Sequence, residues 1–134
     1  MKVKNSLSWI FRIIAAIILI QTLYFKFLGQ PESVELFTKL GVEPWGRIVT
    51  GIIELIAAIL MLIPSTVFIG ASLGIGLMFG AISSHIAIIG IESKGDGGQL
   101  FILAIIVLIS CVITCVLHLQ QGLNLLNKII KLKK

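Results

Sequence analysis

Glu54 lies in the run GRIVTGIIELIAAILMLI at 46–63, a carboxylate among isoleucines, leucines and alanines, with Arg47 and Thr50 shortly before it. Lys26 stands near the end of an earlier apolar run, and His85 in the later part of a third. As an ion at mid-membrane a carboxylate costs ~3 kcal/mol, so it has to be paired, wetted or protonated. An acid, a cation and an imidazole in apolar surroundings can pass protons or hold the polar head of a lipophilic molecule. The competing reading of the same residues is a buried Glu54–Lys26 or Glu54–Arg47 pair that only fixes helix register. For His85 it is a neutral imidazole bonded to Ser84, a backbone carbonyl or Glu54. A metal role for His85 has no support, because no second ligand stands at a recognisable spacing.

Cys111, Cys115 and His118 form a C-x3-C-x2-H stripe. Two thiols at i and i+4 face the same way, yet they lack the C-x-x-C spacing of a thiol oxidoreductase and would bridge only by distorting the helix. Small apolar packing is the simpler role. His118 falls too near one helix end to share a haem with His85.

These residues must be positioned by helices. Of 134 residues, 57% are hydrophobic and 13% charged, and the mean hydropathy is +1.10, far from a soluble domain. Four apolar runs, at about 7–28, 45–63, 67–91 and 100–119, each approach the ~20 residues that cross a ~30 Å hydrocarbon core. The pattern predicts an all-α, single-domain (1–134), four-helix transmembrane bundle. It excludes a soluble catalytic domain, and it excludes a β-barrel, which shows short alternating strands. The first run has the basic start of a secretion signal but leads into bulky Tyr24, Phe25, Lys26 and Phe27, and it reads as a retained helix.

Lys2, Lys4 and Arg12 precede or open the first run, and Lys128, Lys131, Lys133 and Lys134 close the chain, whereas the other two loops carry Glu32, Glu35, Glu43, Glu92 and Asp96. The positive-inside rule puts both termini in the cytoplasm of a multi-pass protein of the cell (inner) membrane. The net charge of +5 then reflects orientation and anionic lipid, and not nucleic acid. Between the first two runs, QPESVELFTKLGVEPW predicts a short amphipathic helix on the outer surface with Val34, Phe37 and Leu40 on one side. The tail QQGLNLLNKIIKLKK predicts a cytoplasmic amphipathic helix continuing the fourth span and bending at Gly122.

At ~100° per residue, Arg47, Thr50, Gly51, Glu54, Ala57, Ala58 and Met61 fall within about 60° of Glu54, and Arg12, Ala15, Leu19, Thr22 and Lys26 share a face of the first run. The third run carries two glycine pairs, Gly70/Gly74 and Gly76/Gly80, which predict close packing on two sides. Glu54, midway along its run, lies ~13 Å deep at ~1.5 Å per residue, with His85 ~9 Å from its outer end.

The basic first run, YFKFLGQPESVELFTKLGVEP after it, Gly51-x-x-Glu54 within GIIEL, and a glycine-rich third run leading to His85 together resemble the DoxX family of small four-helix membrane proteins. The resemblance covers roughly Arg12 to the end of the fourth run. It departs at PSTVF, between the second and third runs, where the family often has a basic residue. The resemblance implies association with thiosulfate:quinone oxidoreductases and redox-stress complexes, or a role in assembling other membrane proteins.

The leading expectation is a membrane subunit of a redox system that binds a lipophilic ligand such as a quinone through Lys26, Glu54, His85, Arg47 and Thr50, with Glu54 and His85 the candidates for chemistry. No motif for an intrinsic cofactor or metal is present, so electrons would come from a bound quinone or from a membrane or soluble partner protein. The alternative is a non-enzymatic assembly or interaction factor. The lipid bilayer is an expected partner, and association of copies of the chain stays open.

Overall fold

The computed structural model describes Met1–Lys134 as an up-down-up-down bundle. The helices are α1 (Lys2–Phe27), α2 (Pro31–Lys39), α3 (Trp45–Leu62), α4 (Val67–Ser84), a π-helical turn (His85–Ile89), α5 (Gln99–Leu117) and α6 (Leu119–Leu132). Four segments are long and apolar enough to span a membrane: α1, α3, α4 with its π turn, and α5. They close a ring in which α1 touches α3, α3 touches α4, α4 touches α5 and α5 returns to α1. One end of the ring carries α2 and the loop before α5. The other carries the chain termini, the α3–α4 turn and α6.

Local sequence explains the punctuation. Pro31 opens α2, where its missing N–H is no loss, and Glu32 sits in the first turn. Ile63 leaves α3 in an extended conformation, φ −85° and ψ 120°, as the residue before Pro64 must. The third span ends two residues before the expected 91. At His85 the helix widens, Gly90 donating its N–H to His85 O over 2.7 Å, and Gly90 closes it at φ 91°, a conformation cheap only for glycine.

In a bilayer the contacts between spans come from close packing, not from expulsion of water. The core is accordingly built from Ala15, Ala16, Ala57, Ala58 and Ala71 with Leu19, Met61 and Val107 between them. Ile13, Ile17, Ile20, Ile52, Ile56 and Ile109 point outward, the surface that hydrocarbon covers. Gly70 sets the closest approach: a Cβ there would lie 2.5 Å from Met61 N and 2.8 Å from Ala57 O. At Gly74 it would meet Cys111 Sγ at 2.6 Å.

Two expectations need correction. Gly76 and Gly80 do not pack on a second helix, since a Cβ at either meets nothing within 4 Å. Glycine spacing alone cannot distinguish a face turned to a neighbour from one turned to open space. The tail bends at His118 (φ −111°, ψ 20°) and not at Gly122, because Gly122 lies under the Phe68 ring, where a Cβ would sit 2.5 Å from Cζ. Gln121 fixes α6 there, accepting from Phe68 N at 2.7 Å and donating to Pro64 O at 2.9 Å. The expected helix between the first two spans is present as α2, which turns Phe37 and also Ser33 inward, with Val34 and Leu40 half-buried. It lies as a roof on one end of the bundle.

The two glycine pairs separate experimentally. Gly70→Ala should lower the unfolding midpoint in mild detergent, overpacking costing about 1–3 kcal/mol. Gly76→Ala should leave it unchanged or raise it by up to about 1 kcal/mol, the helix-propensity gain. Equal losses at both positions would contradict this packing.

Candidate functional site

The last turn of α1 and the middle of α3 face each other. Lys26 Nζ lies 2.9 Å from Glu54 Oε2, and the Thr22 hydroxyl, one turn before Lys26, lies 2.9 Å from the same oxygen. Thr22 Oγ1 is also 2.8 Å from Leu19 O, so its single proton serves one acceptor at a time. Glu54 is only 4% exposed, yet the ammonium and the hydroxyl give its charge the partners that burial demands.

Arg47 goes elsewhere. Its Nε bonds both Glu43 oxygens, at 2.9 and 3.0 Å, and Nη2 lies 2.8 Å from Glu43 Oε1. Nη1 donates to the backbone oxygen of Lys26, at the carbonyl-rich end of α1. Arg12 repeats the device at the opposite end. Its Nε and Nη2 donate to Met61 O and Leu62 O at 2.5 and 3.0 Å, and its guanidinium stacks 3.8 Å over the Trp9 ring. Each of the antiparallel helices α1 and α3 thus lends an arginine to the other's C-terminus.

His85 is 3% exposed. Its Nδ1 lies 2.8 Å from Gly90 O, and since a carbonyl only accepts, Nδ1 carries the proton. The ring meets Phe101 edge-on at 5.7 Å. Nε2 has no protein partner, and every fully buried polar side-chain atom has one. Nε2 is therefore open to the space beside it.

That space is a cavity of about 810 Å³ bounded by α1, α2, α3, α4 and α5. Thr22, Lys26, Thr50, Glu54 and His85 line it together. Leu19, Leu73, Leu77, Leu103 and Val107 supply apolar wall, and Ser33, Leu36 and Phe37 of α2 cover its end. Arg47 is not part of the lining; it holds Lys26 from behind.

The roof is tied down by charge. Glu35 of α2 reaches Lys94 at 2.7 Å and Lys39 at 3.3 Å. The hydrogen bond from Lys94 holds the Glu35 carboxyl below its ordinary range, and the same bond raises the Lys94 ammonium. Asp96 organises the loop before α5, accepting from Ser93 N, Gly98 N and Leu100 N at 3.0, 2.8 and 3.1 Å. Burial pushes its carboxyl up, but the three backbone donors outweigh that and hold it low.

Thr22 and Asp96 also line the site, and sequence reasoning assigned them no role there. The signal for Thr22 was present: it precedes Lys26 by one turn on the same face. Asp96 was marked only by the Asp-Gly-Gly sequence before a helix start. Cys111 packs against the Met61 sulfur at 3.9 Å, and Cys115 lies 3.6 Å from Ser72 Oγ. His118 Nε2 sits 2.7 Å from Ser8 Oγ at the far end of the bundle.

Fold and site together define a small four-helix integral membrane protein with a charged pair inside the bundle. Residues 10–114 match the model of the DoxX-like family, and the chain belongs to that family. No curated protein and no solved structure matches the chain.

The pairing of Lys26 with Glu54 predicts a non-additive mutational cycle. Lys26→Met or Glu54→Leu alone should each cost about 3–5 kcal/mol by stranding the partner charge, and the double substitution much less than their sum. Additive losses in detergent unfolding would show that the two side chains do not depend on each other.

Proposed function

We propose that this protein binds a lipophilic ligand with a polar head, a quinone above all, and serves as a membrane subunit of a redox system. The observation that carries this reading is the cavity of about 810 Å³ that gathers Lys26, Glu54 and His85 in an otherwise apolar bundle, a size within the range of small-molecule sites. A quinone head presents two oxygens across a flat ring. Lys26 Nζ is a donor for a carbonyl oxygen, and His85 Nε2 is an acceptor for the hydroxyl of the reduced form. Thr50 and Thr22 add hydroxyls, and the leucines of the wall suit an apolar tail. Arg47 acts as a positioning residue, fixing the end of α1 that carries Lys26. Electrons would reach the ligand from a partner protein, since the chain brings no cofactor motif.

A second reading, an assembly or interaction factor for other membrane proteins, is favoured by one fact: no fully buried polar side-chain atom lacks a partner within the protein. Under that reading the Lys26–Glu54 pair only sets helix register.

Protein purified in mild detergent should carry a quinone that organic extraction and mass spectrometry detect, and Glu54→Gln should lower its occupancy. An empty wild-type protein, with Glu54→Gln altering only thermal stability, would sink the ligand-binding reading in favour of the second.

We further propose that the termini and α6, with Lys2, Lys4, Lys128 and Lys131, face the cytoplasm, and that α2 faces outward across the cell membrane. A membrane-impermeant maleimide applied to intact cells should label Gly95→Cys and spare Ser6→Cys. The reverse pattern would invert the topology.

A further inference from the structure

We propose that the ligand enters this cavity sideways from the hydrocarbon interior of the bilayer, over Gly76 and Gly80 of α4, and not along the bundle axis past α2. The proposal rests on the ligand-binding reading above and adds a route and a selection rule to it.

Five observations carry it. Gly76 and Gly80 both line the cavity, both are exposed, and a side chain at either would meet nothing within 4 Å. The wall of the cavity therefore reaches the outer surface of the protein at these two residues. They also sit in the middle of the third span, Val67–Ile89, so the opening lies at hydrocarbon depth. Gly70 and Gly74, on the same helix, are consumed by contacts with α3 and α5, so the open pair is not a general looseness of α4.

The axial end, by contrast, is roofed and polar. Phe37 and Ser33 of α2 are buried against the bundle, Glu35 ties α2 to Lys94, Asp96 ties down the loop beside it, and the exposed lining there is Glu32 and Gln99, side chains that disfavour an apolar tail. The exposed lining on α1, Gln21 and Phe25, lies within two turns of its end, away from the middle of the spans.

His85 Nε2 supplies the destination: an imidazole atom without a protein partner, on a residue that lines the cavity, and open to the space beside it. A molecule reaching it over Gly76 and Gly80 must first dissolve in hydrocarbon. The rule selects compounds with a long apolar tail and a compact polar head, and rejects head groups alone. Two glycines one helical turn apart on the sill leave room for a flat ring to pass close to the backbone.

The test uses the full chain in proteoliposomes and a deuterated decyl-substituted benzoquinone as probe, with bound probe measured by mass spectrometry against time. Gly76→Leu/Gly80→Leu should fill about tenfold more slowly than wild type, a change within the range by which association rates vary among variants. Final occupancy should be the same, because the leucines stand at the entrance and not at the head-group site. Glu35→Gln, which loosens the roof, should fill at the wild-type rate. The milder Gly80→Val variant should slow filling to a smaller degree, again with unchanged final occupancy. Wild-type filling rates in the leucine variant, or faster filling with Glu35→Gln, would overturn lateral entry in favour of an axial path. Failure of the wild-type protein to take up any probe would instead refute the ligand-binding reading on which the route depends.

Discussion

An ammonium and a carboxylate held 2.9 Å apart inside a membrane bundle, Lys26 against Glu54, constrain everything around them. An unpaired carboxylate at that depth is costly, so the pairing favours the register of α1 and α3 that brings the two side chains together. The two arginines reinforce it. Arg47 holds the end of α1 just behind Lys26, and Arg12 holds the end of α3 at Met61 and Leu62. A helix pair fixed at both ends and in the middle is a stiff frame. The packing of α4 and α5 completes it through Gly70 and Gly74.

The cavity follows from the same constraint. Polar groups at the centre of a bundle prevent leucine and isoleucine from filling it, and the ring of helices leaves space where Thr22, Thr50 and His85 converge. Above that space α2 is held by Glu35 and Phe37, and below it the alanine-rich core closes tightly. The charged pair is thus both a structural fastener and the polar end of a pocket, and the two roles do not compete.

Much of this was legible in the sequence because period and composition act locally. The faces containing Lys26, Glu54 and His85 follow from helical spacing, and the four spans from apolar length. What escaped depends on partners distant in sequence or on competition between near ones. Arg47 stands on the Glu54 face of its helix, but Glu43, four residues away, claims its guanidinium first. The break at His118 is set by Gln121 reaching across to Pro64 and Phe68, which no local pattern records. Gly70/Gly74 and Gly76/Gly80 have identical spacing and opposite uses, because helix periodicity gives a direction without saying what lies in it. The burial of Ser33 on α2 has the same cause: a polar residue is covered because the cavity rim lies beneath it.

The account stands on the claim that the charged end of the cavity meets the head of a lipophilic ligand. Infrared difference spectroscopy of a decyl-substituted benzoquinone added to the reconstituted protein tests this directly, because a hydrogen bond to a carbonyl lowers its stretching frequency. The account predicts a downshifted carbonyl band that changes when Lys26 is replaced by Met and when His85 is replaced by Phe. A carbonyl band identical to that of the quinone in protein-free lipid would contradict it.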